Sequence, residues 1–216
     1  MMLPRLIALA PLTLGACLSP STTARYTYDP VVVVHAPDGD ELGVSTDYGI
    51  VFLGRRVQTG RVEFTAWFGD GPAREEGLIE RLTDELYLTK SEIELAEVPL
   101  CLDLPPAGTA VIVRGRRGST PFEIEAVLAA DERVQGVLLT PSPELASLGD
   151  GDLGAGIFLV RDGRARELVG LITGRVEFGD GRSYVCAVGP EELWRLAVQH
   201  RDNDRPRRSV YREDLL

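Results

Sequence analysis

The stretch GDGDLGAGIFLV, Gly149 to Val160, has the build of a reactive loop that lacks its reactive residue. Small residues allow a tight turn, and an apolar strand follows. At the centre of the turn stands Leu153, which has no lone pair to attack with and no proton to exchange. The nearby hydroxyls, Ser142 and Ser147, are not followed by the glycines that an oxyanion-binding turn needs. A phosphate cradle is also excluded, because the loop has neither the lysine nor the following helix. The chain carries two histidines, His35 and His200, too scattered to form a metal-ligand cluster. No metal and no cofactor are therefore expected. Cys186 lies in the strand-like run SYVCAV without a paired histidine, which argues against a cysteine nucleophile.

The elements that must position this loop are short and β-rich. VVVVH, ELGVSTDYGIVFL, RVEFTAWF, ELYLTK, TAVIVRG, FEIEAVLA, RVQGVLLT, GIFLV, ELVGLITGRVEF and SYVCAV are rich in β-branched residues. Asp-Gly pairs at 38–39, 70–71, 162–163 and 180–181 suit hairpin turns that need a positive φ. Such spacing predicts antiparallel barrels or a sandwich. PAREEGLIERLTDE is helical by composition, but Gly77 and the flanking strands predict an extended path. The exception is GPEELWRLAVQH. Pro190 suits a first turn, Glu191 and Glu192 favour the positive end of the helix dipole, and Leu193, Leu196 and Ala197 fall on one face. Trp67 and Trp194 read as core residues.

A 216-residue chain with 44% apolar and 26% charged residues is long enough for one domain or two small units sharing an interface. The net charge of −10 leaves no basic surplus to neutralise phosphates, so nucleic acid is excluded as a partner. The first residues, MMLPRLIALAPLTLGAC, place Arg5 before an apolar run too short to span a bilayer, as in a secretory signal. Leu14-Gly15-Ala16-Cys17 resembles the bacterial lipobox. That resemblance implies cleavage before Cys17, lipidation of its thiol and amine, and anchoring by buried methylenes. Leu18 in place of aspartate favours the outer membrane in a cell that has one. The alternative is a secreted protein whose signal contains a cysteine. Residues 1–16 then form the signal, 17–29 a lipidated tether, 30–200 the folded body and 201–216 a loose charged tail. Export makes a disulfide between Cys101 and Cys186 chemically open. The alternative is that both are small buried apolar residues.

Ten or so strands closed by a helix resemble one family, the trypsin-like (chymotrypsin-fold) serine proteases. Gly151-Asp152-Leu153-Gly154-Ala155-Gly156 matches the nucleophile loop G-D-S-G-G-P, and Leu168–Gly174 matches the strand after it. Val98–Leu102 and Ala107–Val111 match the linker between barrels and the first strand beyond. Leu82–Leu88 matches the strand of the catalytic aspartate, with Asp84 in that place. Phe52–Val57 matches the histidine turn, with Arg56 where the histidine falls. The resemblance implies an all-β fold of two antiparallel six-stranded barrels with a C-terminal helix. Residues 30–100 make the first barrel, 101–188 the second and 190–200 the helix.

It also implies that the chemistry is gone. Acyl transfer needs an attacking hydroxyl, an imidazole to take its proton and a carboxylate to orient that imidazole. The three positions here are Leu153, Arg56 and Asp84, and an arginine stays protonated in proteins. His35 falls before the first barrel and His200 after the helix, so neither serves Asp84. Arg56 and Asp84 are expected to pair across the former cleft. The family's oxyanion amides correspond to those of Gly151 and Leu153, which either bind a carbonyl or carboxylate or serve turn geometry alone. The expected protein is a non-catalytic, lipid-anchored binding or scaffolding protein of the cell envelope, with a peptide or protein ligand in the former cleft. The alternatives are an active peptidase whose nucleophile lies elsewhere, and an unrelated all-β lipoprotein.

Overall fold

The computed structural model describes residues 29–199, apart from 70, 135, 162 and 163. The signal, Cys17, most of the tether, His200 and the charged tail lie outside the described residues, as do the Asp162–Gly163 pair and Asp70.

Twelve strands form two closed antiparallel barrels. The first contains β1 (Val31–His35), β2 (Glu41–Thr46), β3 (Gly49–Phe52), β4 (Arg61–Phe68), β5 (Gly71–Arg81) and β6 (Tyr87–Thr89). The second contains β7 (Ala110–Arg117), β8 (Thr120–Ala129), β9 (Val137–Leu139), β10 (Gly156–Arg161), β11 (Arg164–Glu177) and β12 (Ser183–Val188). Both follow one pattern. Three strands run in sequence, and the next three return in reverse order to close on the first, as β1-β2-β3-β6-β5-β4 and β7-β8-β9-β12-β11-β10. Closure removes the unpaired edges that would otherwise invite association.

Side-chain alternation builds these strands. In β8, Glu123 and Glu125 face water while Ile124, Ala126 and Leu128 turn inward, the period of two expected of a strand with one buried face. PAREEGLIER is extended in β5, pairing with β4 as far as Leu78 and with β6 from Ile79 to Arg81. Its charges answer across the β4–β5 pair, Arg61 to Glu76 at 2.9 Å and Arg74 to Glu63 at 3.0 Å. One apolar cluster, including Val32, Val34, Ile50, Phe52 and Phe64, fills the first barrel. A larger cluster runs from Val33, Leu42 and Val44 of the first barrel to Val113, Ile157 and Leu168 of the second, so the two barrels share a core.

The segment between the barrels straps them together. The Val98 amide donates to the Ser45 carbonyl at 3.2 Å. Three residues on, the Cys101 amide donates to the Leu168 carbonyl at 2.8 Å, and the Leu168 amide donates to the Pro99 carbonyl at 2.9 Å. The Cys101–Cys186 bridge is not formed, and both residues are thiols. Cys101 Sγ lies 3.1 Å from the Asp103 carbonyl, and Cys186 sits in β12.

A short helix, α1 (Pro143–Ala146), leads into the glycine-rich loop, and α2 (Pro190–Gln199) closes the chain. The hydroxyl of Ser142 caps α1 by accepting the Leu145 amide at 3.1 Å. This explains Ser142 as a structural cap. In α2 the Glu192 carboxylate accepts the Gly189 amide, and Leu193 and Leu196 are fully buried. Trp194 is 53% exposed, which corrects the expectation that it belongs to the core. It lies one position from Leu193, about 100° around the helix and off the buried face. Trp67 is partly buried, packed against the shared core, with the Arg116 guanidinium 4.1 Å from its ring centroid. His35 is also corrected. It is the last residue of β1 and pairs in register with Glu63 of β4, so it belongs to the first barrel.

Candidate functional site in the cleft between the barrels

A cleft of about 530 Å³ opens where the barrels meet. Its first-barrel wall includes Val33, Asp40, Leu42 and Arg56, and its second-barrel wall includes Arg116, Arg117, Ser147, Gly149, Gly151 and Asp152. The glycine-rich loop therefore faces Arg56, as the order of the motifs predicts. Asp84 is not there.

The loop is held from below. A 3₁₀ turn spans Asp150–Asp152, and β10 follows. Asp152 is 4% exposed. Its carboxylate accepts two parallel bonds from Arg117, Nε to Oδ1 and Nη2 to Oδ2, each 2.9 Å, and the Gly149 amide at 2.8 Å. Burial by itself raises the Asp152 pKa, but the Arg117 and Gly149 bonds outweigh it and hold the carboxyl below its usual value. Leu153 is half-buried against the shared core, and its carbonyl accepts the Leu42 amide at 3.0 Å. Gly154 follows with φ +84°, and a Cβ there would lie 2.0 Å from the Leu42 carbonyl oxygen. Only glycine fits both the dihedral and that approach. Gly151 is under no such demand. It has open space around its Cβ position, and its amide donates to no group among the described residues. The 3₁₀ turn directs the Leu153 amide back toward Asp150, three residues earlier. Gly151 thus lies within a 3₁₀ turn and Leu153 caps its C-terminal end.

On the first-barrel wall, Arg56 follows the β3 strand. Its Nη1 donates to the Asp38 carbonyl at 2.6 Å. The expected pair with Asp84 is absent, which corrects that reading. Asp84 has a fully solvated side chain, 96% exposed, and pairs locally with Arg81 at 2.5 Å. The cause is the turn that carries it. Leu82 and Leu86 are buried, and the Thr83 hydroxyl accepts the amides of Glu85 and Leu86 at 3.1 and 3.0 Å. Anchoring both ends throws Asp84 and Glu85 outward.

The carboxylate that supports the Arg55–Arg56 turn is Glu41 at the start of β2. It is 2% exposed and accepts the Arg55 amide at 3.2 Å and the Arg56 amide. Its Oε1 is buried without a hydrogen-bond partner. Burial is the largest influence and raises its pKa, against the two amides and the two arginine charges. Beneath the same turn, Gly54 adopts φ +62°, and a Cβ there would lie 2.1 Å from Tyr87 Cδ2. The Tyr87 ring thus packs directly on the backbone that leads to Arg56.

A second series of polar groups lies beside the cleft. Asp40 Oδ1 is 2.9 Å from His35 Nδ1, and His35 Nε2 is 2.6 Å from Thr65 Oγ1. The order carboxylate–imidazole–hydroxyl is that of a nucleophile relay, but Thr65 is 4% exposed within β4. Ser147, the one hydroxyl residue on the cleft walls, donates to the Glu144 carbonyl at 2.7 Å. No group of three metal-ligating side chains occurs among the described residues.

No family model matches the chain, and neither does any curated protein sequence. Solved structures do. An astrovirus serine protease superposes with a TM-score of 0.54 at 15% identity, over 78% of this chain and 96% of that one. A serine endoprotease from Yersinia pestis gives 0.57 at 20% identity, over 80% of this chain and 63% of its own. The MamO protease domain from Magnetospirillum magneticum gives 0.54 at 15%, over 79% and 95%. The fold is the trypsin-like double barrel. At such identities the likeness is one of fold, and the unrelated all-β lipoprotein is set aside on topology. Arg56 and the loop residues Gly149, Gly151 and Asp152 line one cleft, and sequence order placed Arg56 and that loop in the same region. It missed Glu41, whose only signal was an acidic residue heading an otherwise buried strand. It also missed the Arg117–Asp152 pair, which has no local signature because its members are 35 positions apart.

Proposed function

We propose that this chain is a trypsin-like protein that does not cleave peptides and acts instead as a lipid-anchored binding or scaffolding protein of the cell envelope, with a peptide or partner protein seated between the barrels. The observation that carries the reading is the composition of the cleft walls. They hold Leu153's loop and Arg56 but no imidazole, and their one hydroxyl residue, Ser147, is engaged with a carbonyl. Neither a nucleophile nor a base is present to form an acyl-enzyme. The anchoring half of the reading rests on the lipobox resemblance at Cys17.

A second reading, an active hydrolase, draws on the Asp40–His35–Thr65 series and on the serine-protease names of the structural neighbours. One reagent separates the two. The purified protein is treated with a fluorophosphonate probe and analysed by intact-mass spectrometry. No adduct is expected. An adduct lost in a Thr65→Val variant would establish the hydrolase. For the anchor, cells fed an alkynyl fatty acid are expected to label the wild type and not Cys17→Ala. Equal labelling of both would remove the lipoprotein assignment.

A further inference from the structure

The cleft is rich in donors and poor in unengaged acceptors. An arginine has five N–H donors, and Arg56 spends one on the Asp38 carbonyl at 2.6 Å. That bond also fixes the guanidinium against the β1–β2 turn, where it packs on Gly39, and the residue lines the cleft. The carboxylates on the walls are already occupied, Asp152 by Arg117 and Asp40 by His35. Glu41 supports the backbone of the turn, and no atom of it lines the cleft. Two further residues with an unengaged donor line the same space, although the Arg116 Nη groups already donate to Asp29 and Ser119. The Gly151 amide has no acceptor among the described residues. Arg116, 6% exposed, lines the cleft with its Nε buried and without a hydrogen-bond partner. A donor-lined pocket thus opens in a protein of net charge −10.

We propose that this cleft is a carboxylate-binding site, in which the Arg56 guanidinium and the Gly151 amide hold the acidic side chain or the C-terminal carboxylate of a peptide. This deepens the binding reading above and rests on it. A planar carboxylate matches the guanidinium fork. The net negative charge of the whole molecule disfavours a polyanion at longer range. The position that holds a proton-accepting base in an active protease would here hold a permanent cation that selects the ligand.

The test is a titration of isotope-labelled protein followed by NMR. The probes are Ac-Ala-Glu-Ala-NH2, Ac-Ala-Ala-Ala-OH, Ac-Ala-Gln-Ala-NH2, sodium acetate and inorganic phosphate. At least one carboxylate peptide is expected to shift the Gly151 and Arg56 amide signals and to bind about tenfold tighter than the Gln peptide, the scale of one charge-assisted hydrogen bond. The Glu and free-acid arms decide between a side-chain and a terminal source. Arg56→Gln is expected to erase the preference, and Arg56→Lys to keep part of it. The Glu-against-Gln comparison on the wild type stands even where a variant fails to fold. Equal binding of the Gln peptide, no binding of any probe, tighter binding of acetate or phosphate than of the peptides, or an unchanged preference in Arg56→Gln each overturns the inference. Equal peptide binding without preference leaves the non-catalytic reading intact. Fluorophosphonate labelling, by contrast, sinks that reading itself.

Discussion

The two barrels share one strand order, yet they treat their halves of the cleft differently. The second barrel keeps its loop in a tight, over-determined conformation. The Arg117 fork, the Gly149 amide and the Leu42–Leu153 and Gly154 contacts all hold it. The first barrel holds its side of the cleft from a different strand than the one that carries Asp84. Asp84 is solvated, and Glu41 on another strand props the turn that ends in Arg56. The difference teaches that a cleft loop is rigid where it also welds the core. Gly154 lies against the first barrel's Leu42, so the loop is part of the barrel–barrel interface whatever residue sits at 153. Asp84 is solvated and pairs only locally with Arg81, so the core does not fix its position.

The largest effect is expected at that weld. Gly154→Ala forces a Cβ to 2.0 Å from the Leu42 carbonyl at φ +84° and should cost about 3 kcal/mol or more in urea unfolding. A cost under about 1 kcal/mol would mean that the interface yields easily and that the loop is not held by it.

Next comes the fork beneath the loop. Asp152→Asn should cost about 2 kcal/mol near neutral pH, reduced from the fully buried figure because Arg117 is half exposed. The sign with pH follows from the lowered pKa. The native state holds the carboxylate ionised, so the stability is present above the ordinary aspartate value of 3.8 and fades as pH falls through the lower native value. Wild type and variant should therefore converge in strong acid. Parallel stability curves across the acid range would refute the pair.

Glu41 should behave in the opposite sense. Its native pKa is raised by burial, so ionisation penalises the fold as pH climbs above the ordinary 4.5. Glu41→Gln keeps an acceptor for the Arg55 amide and removes the charge. It should stabilise the protein at pH 7 and give no gain below the ordinary value. A loss at pH 7 would show that the charge attracts Arg56 more than burial opposes it.

The smallest effect is at Asp84. Its local pair with Arg81 is solvent-screened, and Asp84→Asn should change stability by less than about 0.5 kcal/mol. A large loss would restore Asp84 to a structural role and remove the contrast between the barrels.

Local chemistry was legible in the sequence because it is written in short stretches. Alternating β-branched runs, the Asp-Gly turn at Asp38–Gly39, the α2 start at Pro190 and the glycine-rich turn before β10 all depend on neighbours a few positions away. Motif order also put Arg56 opposite that loop. Tertiary structure alone decided which charges meet. Arg117 finds Asp152, Arg116 finds Asp29 at 2.5 Å from 87 positions away, and His35 bridges Asp40 to Thr65. Barrel closure sets those encounters, and side-chain type does not encode them. Asp84 and Glu41 show the cost of reading by motif: two acidic residues of similar chemistry exchanged the buried and solvated roles, because one sits on a turn anchored at both ends and the other heads a strand with both faces enclosed.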